Sequence, residues 1–140
     1  MKTLQQNIIN WAKEKGIDNP ENQRLKVLEE IGEVAGAILK GNREEILMEL
    51  GDVAVTIIIY HHLKGIETLL SEEPSHYAIT NQAHGLEIIA DLFAHNNAIL
   101  TCVDDLARIN NSTLKECLTL AWNKIKDRQG KTVNGTFIKD

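Results

Sequence analysis

The chain has 140 residues, 43% hydrophobic and 25% charged, the balance of one soluble globular domain, residues 1–140, with a core of its own. A net charge of -5 excludes a nucleic-acid polymer as the expected partner, because backbone binding relies on a basic surface. A small polyanion bridged by metal stays compatible with that charge.

In chain order, residues 3–15 read as a helix, with Leu4, Ile8, Trp11 and Ala12 at helical spacing and Gly16 as its stop. Asn19-Pro20-Glu21-Asn22 is a loop and helix start, and the second helix, 21–40, stops at Gly41. Asn42 is the expected cap of a third helix over 43–64, closed by Gly65. Residues 66–80, with Pro74 and several charges, are a weaker region expected to be partly helical. A fourth helix covers 81–109 with a break near His95-Asn96-Asn97, and Ser112 caps a fifth over 113–128. Asn134-Gly135 between β-favouring pairs signals a hairpin at the C-terminus. Too small to be stable alone, it is expected to pack on the bundle or a neighbouring subunit. The expected fold is therefore an all-α bundle of about five helices with a short C-terminal β-hairpin. Residues 1–6 carry no signal-peptide core, and the longest apolar run, Val53 to Tyr60, is too short to span a membrane. Cys102 and Cys117 show no metal or redox spacing and read as buried, reduced thiols, so a cytoplasmic protein without a membrane partner is expected.

Two acidic pairs stand out, Glu30-x-x-Glu33 and Glu49-x-x-Asp52. Residues three apart share a helix face, so each pair aims two carboxylates one way. The Lys40-Gly41-Asn42 turn folds the second helix back on the first and brings the four acids together. Taken alone, Glu30 and Glu33 read as surface acids. Glu49 and Asp52 do not, because from Ile46 to Tyr60 the helix is apolar on nearly all sides. Four clustered carboxylates repel, and burying them unpaired costs several kcal/mol each. Divalent metal with oxygen ligands, Mg2+ first and Mn2+ as a substitute, resolves the conflict and points to an enzyme acting on phosphates. Gly32 and Gly51 inside the helices suggest close helix approach or ligand access.

The segment Leu28-Glu29-Glu30-Ile31-Gly32-Glu33, followed by Glu49-Leu50-Gly51-Asp52-Val53, resembles the signature of the MazG-like, all-α nucleoside triphosphate pyrophosphatases. Residues 123–131, Asn-Lys-Ile-Lys-Asp-Arg-Gln-Gly-Lys, resemble the end of small MazG-like proteins. The resemblance implies a homodimeric or tetrameric bundle that binds Mg2+ and cleaves nucleoside triphosphates to monophosphate and pyrophosphate. It makes Glu30, Glu33, Glu49 and Asp52 the metal ligands. Metals held there would neutralise the phosphates and acidify a water, with Glu33 or Glu29 accepting its proton. Lys126, Arg128 and Lys131 are candidates to grip phosphates, with Asn123 one turn back and Lys26 one turn before Glu30; each also reads as an ordinary surface residue.

Other patterns carry less. His84, Glu87, Asp91 and His95 form a stripe that could bind a transition metal but reads first as a polar border. Trp11 and Trp122 could stack on a base, although buried packing is their ordinary role. A di-iron bundle would want Glu-x-x-His pairs, which these acids do not form. A phosphoribosyl-ATP or dUTP pyrophosphohydrolase, and a non-catalytic helical interaction module, remain the competing readings.

Overall fold

The computed structural model describes residues 1–71 and 73–139. Six helices precede a small hairpin: α1 Lys2–Glu14, α2 Pro20–Lys40, α3 Arg43–Leu63, α4 Gln82–Leu92, α5 Leu100–Ile109 and α6 Leu114–Ile125, then β1 Gly130–Val133 and β2 Thr136–Lys139. The strands pair antiparallel, with Val133 opposite Thr136 across the Asn134-Gly135 turn. Both turn residues have positive φ, 52° and 77°, as a two-residue hairpin loop requires.

The long antiparallel pair α2–α3 is set by its ends. Asn19 caps α2 by accepting from the Asn22 N–H, and Pro20 takes the first helical position, where no backbone donor is needed. Gly41 ends the helix in the left-handed region, and Asn42 starts the next by accepting from the Glu45 N–H. Two helices joined by one residue pair must lie alongside each other. The expected fourth helix divides into α4 and α5 at residues 93–99. There the Asn96 side chain accepts from the Ala98 N–H and donates to the Tyr77 hydroxyl, so the backbone leaves the helical ladder. α6 is capped by Thr113, whose hydroxyl accepts from the Glu116 N–H, rather than by Ser112, which donates to the Glu116 carboxylate. Residues 66–80 hold no helix among the described residues. The Asp105 carboxylate, which accepts from the Ser75 N–H, ties part of this segment to α5.

α3 is the central element, packed by α1, α2, α5 and α6. Leu50, Val53, Ala54, Ile57 and Ile58 are all fully buried in it. Its 21 residues are long and apolar enough to cross a membrane by length and composition, but 67% of the most apolar window is buried inside the protein. It is a core helix. Most of its all-round apolar surface is covered within this chain. On α2, Leu28 faces out at 44% exposure.

Candidate active site

α2 and α3 run antiparallel, so residues before and after the 41–42 turn pair off along the seam. Near the turn, Glu30 faces Glu49 and Asp52. One donor oxygen from each of these three lies within 4.8 Å of the others. About seven residues earlier, Gln23 donates its amide to the Thr56 carbonyl at 3.2 Å. At 1.5 Å of rise per residue this second contact is about 10 Å from the first.

The three carboxylates are under electrostatic stress. Burial, then the charges of Asp52 and Glu49, push Glu30 up to about 7. Glu49 is also raised, by burial and Asp52, against the opposing pull of Lys124. Like charges gathered in a partly dry seam favour protonation or a cation. The set consists entirely of hard oxygen donors converging on one point, which fits a divalent metal of the Mg2+ class. Glu33 is exposed on the same side of α2, close enough for its charge to raise Glu49. Glu29 is exposed and paired with Lys26 at 3.4 Å.

These acids line a cavity of about 530 Å³. Lys26, Glu29, Glu30, Glu33, Glu49 and Asp52 all line it, as do Lys124 and Arg128 from the end of α6. The opposite part of its wall is Trp11, Ile17, Val55, Ile59 and Phe137, with Gln23, Thr56 and Thr136 as polar groups among them. Trp11 and Phe137 meet edge to face, with ring centroids 5.3 Å apart. The Trp11 indole N–H is buried and has no partner among the described residues. The hairpin is held over this end by Asn22, which donates to the Thr136 hydroxyl at 2.7 Å, and by the Gly135 carbonyl, which accepts from the Asp18 N–H at 2.9 Å.

Of the basic and amide residues singled out in the sequence, Lys26 and Arg128 line the cavity. Asn123, Lys126 and Lys131 are exposed and are not part of its wall. Lys124 was missed, although it bonds Asp52 at 2.6 Å. It lies in the last turn of α6, whereas Arg128 lies beyond the helix end, so helical spacing gave no signal that pairs them. Gln23, Thr56, Thr136, Phe137 and Lys139 were missed as well; no periodicity marks residues that join a cavity through tertiary packing.

The all-α bundle thus sets a carboxylate cluster in the wall of a cavity that also carries basic and aromatic groups. Residues 18–68, which contain α2, α3 and both acidic pairs, match the family model of the MazG nucleotide pyrophosphohydrolase domain. The matched segment, 51 of the 140 residues, is thus similar to a domain described as a nucleotide pyrophosphohydrolase. No curated protein and no solved structure matches the chain significantly.

Proposed function

We propose that the protein is a Mg2+-dependent pyrophosphohydrolase that cleaves nucleoside triphosphates, deoxynucleotides among them, to the monophosphate and pyrophosphate. Housecleaning or control of nucleotide pools is the role that fits. The observation that carries this reading is the convergence of Glu30, Glu49 and Asp52 at one end of a cavity whose other end is aromatic and apolar. The two ends lie about 10 Å apart along α2, which suits a triphosphate at the acids and a base near Trp11 and Phe137. A divalent ion, Mg2+ or Mn2+ in its place, would supply phosphate neutralisation and an acidified water there.

The chain's own residues divide the remaining work. Glu30, Glu49 and Asp52 hold the metal, with Glu33 at the edge of the set. Glu33 is exposed beside the cluster and free of the Lys26 pairing that engages Glu29, so it is the better placed of the two to accept the water's proton. Arg128 and Lys26, which both line the cavity, present cations to the phosphates. Ile17, Val55 and Ile59 exclude water from the base end.

We also infer a homo-oligomer, dimer or tetramer. The outer face of α2 carries Leu25, Leu28 and Leu39, the last 89% exposed, interleaved with Gly32 and Gly36, whose missing side chains leave open space. Such an apolar face beside the cavity fits a second copy. The two buried free thiols suit a reducing, cytoplasmic setting.

Pyrophosphate release from a panel of canonical and modified nucleoside triphosphates, with Mg2+ and with chelator, tests the reading. Metal-dependent release that is lost in Glu49→Gln is the expected result. Absence of release from every triphosphate by folded protein would overturn it.

A further inference from the structure

α3 and α6 touch where neither has a bulky side chain. A Cβ on Gly51 would collide with the Cys117 carbonyl and the Ala121 methyl. This contact fixes the register of the two helices. Asp52 follows Gly51, and Lys124 lies one turn beyond Ala121, so the lysine is delivered to the acidic cluster by backbone packing. Its Nζ is 2.6 Å from Asp52 Oδ2, an ion pair between residues 72 apart in sequence. Asp52 is largely shielded, with 13% side-chain exposure, whereas Lys124 keeps 33%. The lysine therefore reaches in from the solvent side and has room to leave.

We propose that Lys124 is a displaceable counter-ion: it neutralises the Glu30, Glu49 and Asp52 cluster before metal arrives, yields Asp52 Oδ2 to the metal, and then turns beside Arg128 to meet a substrate phosphate oxygen. The inference rests on the metal-dependent reading above. An ammonium and a divalent ion sharing one carboxylate oxygen are near neighbours of like charge and repel. A lysine suits such a change of partner better than an arginine, because its charge sits on a flexible stem with freely rotating donors. Both places it needs are present: Lys124, on α6, and Arg128, three residues past its last helical residue, line the same cavity. No bond is made or broken; one charge exchanges one anionic partner for another.

Amine-reactive footprinting of the full chain, read by mass spectrometry at Lys124, tests this directly. Reactivity is expected to rise several-fold from chelator to saturating Mg2+, and to fall again when a non-hydrolysable nucleoside triphosphate is added. Calorimetry on the same protein reports whether metal binds at all. Metal binding without any rise in Lys124 reactivity overturns the counter-ion role and leaves the metal-dependent reading standing; no metal binding overturns both. In Lys124→Gln, Mg2+ should bind about fivefold tighter and the triphosphate analogue more weakly, because one competing charge is gone. Its melting temperature should be below wild type in chelator and converge on it in saturating Mg2+. Weaker Mg2+ binding in that variant would make Lys124 a fixed positioning residue and overturn the proposal. Lys124→Arg, which keeps the charge, covers the case in which the Gln variant does not fold, and should keep Mg2+ affinity within about twofold of wild type.

Discussion

α3 carries polar groups into the core at two places, and they are built in opposite ways. Near its C-terminus, His61 is fully buried yet fully matched. Its Nε2–H donates to the Phe93 carbonyl at 2.7 Å, and its Nδ1 accepts from the Thr68 hydroxyl at 2.9 Å. That assignment follows because a carbonyl can only accept, so the neutral ring satisfies both partners. Near the N-terminal half, Glu49 and Asp52 join Glu30 in a cluster of like charges with Lys124 as its contacting cation. A matched buried group fastens the segment after α3 to the turn after α4. A cluster left in mutual repulsion stores free energy that a ligand of the right charge can release. The first is a device for stability and the second a device for binding.

The largest expected effect breaks the second device alone. Glu49→Gln should lower metal-dependent turnover by about a thousandfold, or about 4 kcal/mol of barrier. The same variant should melt at or above the wild-type temperature in chelator, since repulsion is relieved. Concurrent loss of fold would contradict the division. Next, His61→Ala should cost about 3 kcal/mol, through a cavity and two buried groups left unpaired. In a thermal melt that is about 10 °C, with Mg2+ affinity by calorimetry unchanged. A smaller loss is expected from Gly51→Ala, about 2 kcal/mol, because α6 must move away from α3. Unlike His61→Ala, it should also alter Mg2+ affinity by shifting Lys124 away from Asp52.

The smallest effect sharpens the comparison through its sign. Glu30 is raised to about 7 in the folded protein from an ordinary 4.5, chiefly by burial. Its folded-state stability is therefore fully present below 4.5 and lost as pH rises through 7. His61 is lowered from 6.5, chiefly by burial, so its contribution is present above 6.5 and lost as pH falls below it. Glu30 and His61 should therefore tilt the stability of the metal-free protein in opposite directions with pH, the Glu30 part by about 1 kcal/mol once solvent screening is allowed for. Denaturant titrations from pH 5 to 8 should show Glu30→Gln flattening the alkaline side only. Saturating Mg2+, which needs deprotonated carboxylates, should turn that alkaline slope upward.

The helices and the acidic pairs were legible in the sequence because their causes are local. Asn19, Gly41 and Asn42 cap the ends they occupy, and spacing by three puts Glu30 with Glu33 and Glu49 with Asp52 on shared faces. The turn at 41–42 then made the pairing of α2 with α3 nearly unavoidable. The sequence could not choose among Lys124, Lys126 and Arg128, which read alike as basic residues near a helix C-terminus.

What the sequence determined by itself was therefore a helical bundle, its turn chemistry and a set of acids in need of a cation. The tertiary structure decided which of those acids converge, that Lys124 is the cation that meets them, and that Phe137 and Thr136 close the far end of the cavity. The reason is physical: periodicity and capping act within a few residues, whereas the register of α6 on α3 is set by a glycine meeting a carbonyl 66 residues away.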